Sequence, residues 1–290
     1  MEVKQIKTLF IEHSLFELFG PFWLGLVVLG WYLYREKILR SGTYEVQSYQ
    51  KASFYIALFL IYFFYGSPFS VLADTYLFSA LMSQAAFTYF IIMPLLIISF
   101  PFELYKKYTW NYRNRLFLQI VGHPWLTLVI FTVLFSVYFV PTVFNFVHEH
   151  IALVLLYHFV LFVYAFFMWW AILNPVRRIN ELSPLYRIAY IFLASLALMP
   201  IGFFHLLNLN ANYVLYFPTE AMIIPQLTNI YDQQLAGGIL KLIQLSSFIF
   251  VMYRIVKAWA LRMQKKDGDP LDENLRVVQG VGIRTNESKK

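Results

Sequence analysis

Apolar residues run in long blocks along this chain, and the charged residues are swept into the gaps between the blocks. Seven stretches are long enough to cross a hydrocarbon core of about 30 Å as a helix, which takes about 20 residues. They run over about Leu18 to Tyr34, Ala52 to Ala73, Thr75 to Phe100, a stretch within Leu116 to Val147, Ile151 to Leu173, Ile188 to Leu207, and Leu235 to Tyr253. At such lengths only a helix satisfies its own backbone inside lipid. The pattern therefore predicts an all-α integral membrane protein, a bundle of seven transmembrane helices. Residues 1–17, with Lys4, Lys7, Leu9, Phe10 and Ile11, read as a short amphipathic lead, and 18–262 as the transmembrane domain. Residues 263–290 include Asp267-Gly268-Asp269-Pro270 and little apolar periodicity, so they are expected to form a disordered cytoplasmic tail. The connection from Asn208 to Asp232, with Tyr213, Tyr216, Phe217, Pro218 and Pro225, is long and apolar enough to be expected as a cap over one mouth of the bundle.

Charge sets an orientation. Arg35, Lys37, Arg40 and Lys51 lie between spans one and two, Lys106, Lys107, Arg113 and Arg115 between three and four, and Arg177, Arg178 and Arg187 before span six. Arg254 opens a tail with nine Lys or Arg, so twenty of the 23 positive residues fall on one side. Two, Lys4 and Lys7, fall on the other, and Lys241 lies between. The positive-inside rule then places the N-terminus outside and the C-terminus in the cytoplasm. The net charge of +7 thus reflects bilayer orientation, and nucleic acid is not expected as a partner. The chain is 60% hydrophobic and only 13% charged, against about 25% charged in soluble domains. It has no cysteine, which excludes disulfides, thiolate metal sites and thiol nucleophiles.

One stretch breaks the rule that spans are uncharged. Asp232-Gln233-Gln234-Leu235-Ala236-Gly237-Gly238 opens span seven, and Lys241 lies well inside it. A charge there costs roughly 2.5 to 3.5 kcal/mol on insertion scales. On a helix, Gln234, Gly237 or Gly238, Lys241 and Gln244 form one stripe, and the glycines let a neighbouring helix come close. One reading is a polar pocket in the outer half of the membrane, built from spans three, five, six and seven. The other is an amine that snorkels about 10 Å back to the outer face, at about 1.5 Å per residue.

Five of the six histidines, His13, His148, His150, His158 and His205, also lie in or near the outer half. Within a span an imidazole is a candidate functional group, so His158 and His205 join Lys241, Gln234, Gln233, Asp232 and Gln244 as pocket or partner-binding candidates. Span three adds Ser79, Ser83 and Gln84 on a small-residue face, a pattern that most often mediates close helix packing. His158, His148, His150 and Met82 are the metal candidates, since imidazole and thioether suit copper. No His-Glu-x-x-His, phosphate-binding glycine loop or nucleophile elbow is present, so no enzyme is expected.

Taken together, the span-seven stretch with Lys241, Ser79-Ala80 with Met82 and Gln84, Pro94-Leu95-Leu96 to Pro101, Tyr138 with Pro141, Tyr157-His158 and Met168-Trp169-Trp170 make a set. It resembles the multispan CtaG family of cytochrome c oxidase assembly factors, as distinct from the single-span copper chaperone of the same name. The resemblance covers roughly Ala52 to Lys257. It implies a multi-pass protein of the bacterial plasma membrane whose partners are the lipid bilayer and haem-copper oxidase subunits or other assembly factors. It also makes copper the one cofactor to consider. Family members usually carry histidines at the positions of Leu81, Ala85 and Phe139, and a proline at that of Ala171. Of the implied intramembrane ligands only His158 remains, and one imidazole does not hold copper tightly. The expectation is a divergent assembly factor that works by binding. A small-molecule or anion permease with its pocket around Lys241, and haem held by His158 with His205, are the alternatives.

Overall fold

In a computed structural model, the described residues are 10–11, 13–176, 181–216, 227–267, 275–278 and 281–284. Lys4, Lys7, Arg177, Arg178, Phe217, Pro218 and Pro225 lie outside them. Five helices are long and apolar enough to cross a membrane: Leu15–Leu39, Phe78–Ser99, Ile151–Leu173, Pro184–Leu207 and Asn229–Met263. Two helix pairs, Ser48–Tyr65 with Pro68–Tyr76 and Tyr112–Val121 with Pro124–Tyr138, are bent by 48° and 55°. Each pair taken as one span gives the seven expected. The protein is thus a multi-pass helical membrane protein.

The chain divides into two units, Met1–Ile249 and Phe250–Lys290. In the first, the described residues in regular elements are all helical. In the second, the last helix ends at Asp267 and an antiparallel hairpin pairs Leu275–Val278 with Val281–Arg284. A lone two-stranded hairpin is marginal in water, so it does not make the tail a domain of its own.

Within the first unit span three is the innermost. Of its apolar window 72% is buried, against 6% for span one and 44% for span seven. It packs on spans two and five, span four packs on five and six, and span one lies against span two. Nine consecutive residues of span three, Phe78 to Ala86, are buried. Ser79, Ala80, Ala85 and Ala86 are small enough to let neighbours approach on all sides.

Prolines interrupt the hydrogen bonding of these helices, and the interruptions explain how the spans are tied together. A proline has no N–H for the carbonyl four residues earlier, and in lipid that carbonyl needs another donor. Pro68 leaves the Phe64 carbonyl, which accepts from Gln84 Nε2 at 2.6 Å, joining span two to span three. Pro94 follows a π-helical turn, Thr88–Ile92, and leaves the Phe90 carbonyl, which accepts from Ser247 Oγ of span seven at 2.5 Å. The adjacent Tyr89 carbonyl accepts from Trp169 Nε1 of span five at 2.7 Å. Pro101 leaves the Ile97 carbonyl to the Tyr105 hydroxyl at 2.8 Å. Each gap in one helix is thus filled by a donor elsewhere in the chain, and three of the four donors sit on another span.

The described start of the long connection, Asn208 to Tyr216, docks on the end of the bundle. The Tyr213 hydroxyl donates to the Phe139 carbonyl and the Tyr216 hydroxyl to the Ala73 carbonyl, at 2.5 and 2.6 Å.

Candidate functional site

The polar residues of span seven fall into two groups. At its start, the Asp232 carboxylate accepts from the backbone N–H of Phe78 at 2.6 Å and of Ser79 at 3.2 Å. These are orphan donors at the N-terminus of span three, whose own cap position, Leu77, has no side chain to offer. Asp232 is therefore an N-cap supplied from another span, and the positive end of the helix dipole favours its charge. Its neighbours hold the connection after span six. Gln233 Nε2 donates to the Asn210 carbonyl and Gln233 Oε1 accepts from Asn212 N–H, while Gln234 Nε2 donates to the Asn208 carbonyl.

Deeper in the span, Lys241 Nζ donates to the Leu198 carbonyl at 2.7 Å and to Gln244 Oε1 at 2.8 Å. Gln244 Nε2 reaches Ser195 Oγ at 3.4 Å. Leu198 lies at the break of span six, between Pro184–Ala197 and Met199–Leu207. Gly202 makes room for the lysine stem: a Cβ there would come within 2.2 Å of Lys241 Cε. Gly237 makes the helix contact itself, since a Cβ would meet Leu206 N at 2.7 Å and the Gly202 carbonyl at 2.8 Å. Gly238 faces no such contact, with only Leu206 Cδ1 at 3.8 Å. The Lys241 amine is thus held between spans six and seven by protein oxygens and does not reach back along its own helix.

The histidines form separate sets. His158 sits between two tyrosines, with Nδ1 3.1 Å from the Tyr89 hydroxyl and Nε2 2.9 Å from the Tyr138 hydroxyl. His205 Nδ1 lies 2.7 Å from the Ile201 carbonyl and Nε2 2.6 Å from the Tyr213 hydroxyl, which itself reaches Phe139. Those three contacts need three protons where the neutral imidazole and phenol have two, so one is unmade unless the ring is an imidazolium. Phe78 stacks on Tyr213 and on His205, at 3.9 and 5.4 Å, so the connection packs against the start of span three.

His148 donates its Nδ1 proton to the Phe144 carbonyl at 2.9 Å and stacks on that ring, and burial pulls its pKa below the ordinary imidazole value. His150 is exposed and Met82 fully buried. In span three the Ser83 hydroxyl donates to the Ser79 carbonyl, and Gln84 serves the span-two break. The expected single pocket of spans three, five, six and seven is thus replaced by several hydrogen-bonded sets. Asp232 joins seven to three, Lys241 joins seven to six, and His158 joins five to three and four.

Residues 26–262 match the family described as cytochrome c oxidase caa3 assembly factor (Caa3_CtaG). The chain belongs to this CtaG family. Neither curated protein sequences nor solved structures give a match. In this CtaG protein the surroundings of His158 do not fit a copper ion. Both ring nitrogens face tyrosine hydroxyls, and Leu81, Ala85 and Phe139 are buried without a donor atom. No group of three His, Asp or Glu among the described residues could hold a metal. Sequence reasoning missed Tyr89, Ser195, Gly202 and Ser247. The signal for Ser247 was present, because Pro94 announces a carbonyl in need of a donor; nothing in the sequence says which span provides it.

Proposed function

We propose that this CtaG protein promotes maturation of a haem-copper oxidase in the bacterial plasma membrane by binding the oxidase or its other assembly partners. It spans the membrane with its N-terminus outside and passes no copper through its intramembrane histidine. The observation that carries the reading is the Tyr89–His158–Tyr138 set, in which hydroxyls occupy the directions a metal would need. Family membership supports the oxidase as client, and the one-sided distribution of Lys and Arg supports the orientation.

Two measurements test it. Deleting the gene should lower oxidase activity and weaken the oxidase haem spectrum, and an unchanged, fully assembled oxidase would refute the role. Purified protein should hold copper well below one equivalent, with no change on His158→Ala. Equimolar copper that is lost in that variant would show that the imidazole is a ligand after all.

A further inference from the structure

The Lys241 ammonium is seated without being neutralised. Both of its acceptors, the Leu198 carbonyl and Gln244 Oε1, are uncharged, and its third N–H meets no acceptor among the described residues. Ion pairs among the described residues are His13 with Glu17 and Arg40 with Glu36, neither of them near Lys241 in sequence. Asp232, the carboxylate on the same helix, is nine residues and about 13 Å away at about 1.5 Å per residue, and is committed to the start of span three.

The direction of the side chain matters as much. Side chains on a helix tilt towards its N-terminus, which here leads to the nearer membrane face. Lys241 bonds instead to Gln244, one turn further into the span, and to the break in span six. The amine is thereby held against the break in span six and turned away from the start of its own helix.

Its seam is open on one side. Lys241 and Gly238 are half-buried, and Leu242, Leu245 and Met199 beside them are exposed and apolar. Gly237 makes the internal contact, whereas a Cβ on Gly238, one turn from the amine, would meet only Leu206 Cδ1 in ordinary contact at 3.8 Å. A small hydrated anion would gain nothing from apolar flanks and a half-buried glycine; an apolar helix would gain close contact.

We infer that Lys241 receives an Asp or Glu carboxylate carried on a transmembrane helix of a partner protein, which packs over Gly238 in the seam between spans six and seven. That partner would be an oxidase subunit or assembly factor on the reading above, but the test needs neither.

The purified full chain is reconstituted in phosphatidylcholine vesicles with a synthetic Leu/Ala transmembrane peptide bearing one Glu at the depth of Lys241. A twin peptide carries Gln instead. Association is read by energy transfer from the protein's seven tryptophans to a dansyl group on the peptide. Wild type should bind the Glu peptide roughly tenfold more tightly than the Gln peptide, the size of a polar contact within a membrane. Lys241→Met should erase that preference and Lys241→Arg keep part of it. Equal binding of the two peptides to wild type, or a Glu preference that survives Lys241→Met, overturns the inference. So does a lysine-dependent capture of dansyl-phosphatidylglycerol in place of the peptide, which would make the ligand a lipid phosphate. Should Lys241→Met not fold, Gly238→Leu provides the second test: it adds bulk where a Cβ meets only Leu206 Cδ1 in ordinary contact and should block the Glu peptide, and unchanged binding would equally sink the proposal.

Discussion

Two adjacent glycines in span seven occupy different physical settings. Gly237 touches backbone of span six, so Gly237→Ala must push two helices apart, and overpacking of this kind costs typically 1–3 kcal/mol, on the order of a cavity mutation. Gly238→Ala meets only ordinary van der Waals contact and gains helix propensity worth up to about 1 kcal/mol. Thermal unfolding in detergent should rank Gly237→Ala well below wild type and Gly238→Ala at or above it; the reverse order would contradict the packing described. At the same scale, Asp232→Ala removes a cap shared by two N–H groups, and caps are worth about 0.5–2 kcal/mol. Asp232→Asn, which can still accept, should fall between. His148 supplies a pH signature. Its folded pKa is depressed by burial, so as pH falls below about 6.5 the unfolded chain takes up the proton first. Stability present above that range is lost on acidification towards the folded value. The melting temperature should fall between pH 7 and pH 5 by less in His148→Gln than in wild type.

Among elements, the interrupted helices decide the architecture. Ser247 and Gln84 each cover a carbonyl that a proline left open, and an uncovered buried carbonyl costs about 1–3 kcal/mol. Ser247→Ala should therefore destabilise the protein. In a Pro94→Ala background, residue 94 regains an N–H of its own, and the same change should cost measurably less. A double-mutant cycle of denaturation energies reads the coupling, and strict additivity would count against it. This also explains what could and could not be read from the amino acids. The five long spans and the two bent pairs are visible in the sequence because length and hydropathy suffice for them. The bends at Pro68 and Pro124 are signalled by the prolines themselves. The donors that cover the carbonyls left by Pro68 and Pro94 are not, since Gln84 looks like a member of a small polar face and Ser247 like any span serine. Asp232 illustrates the same limit: its type suits a cap, but the helix it caps starts at Phe78 and not at its own position.

For the whole molecule, orientation is the coarsest claim and the easiest to check. The chain has no cysteine, so single introduced thiols report without background. Glu149→Cys, in the exposed turn before span five, should react with an impermeant maleimide in intact cells. Thr43→Cys, exposed in the connection after span one, should react only after the membrane is opened. Labelling of both in intact cells, or the inverse pattern, would reverse the topology inferred from charge.

The carboxylate that finishes the first turn of the innermost helix lies 154 residues downstream of the amide it serves. At translation speeds of about 5–20 residues per second, that turn waits roughly 8 to 30 seconds for its partner to emerge. Until the last span enters the bilayer, two bare amides remain at the head of the most enclosed segment. A chain cut short before Asn229 would keep them bare permanently and should be cleared by membrane proteases much faster than the full-length product, which a pulse-chase of the two chains would measure.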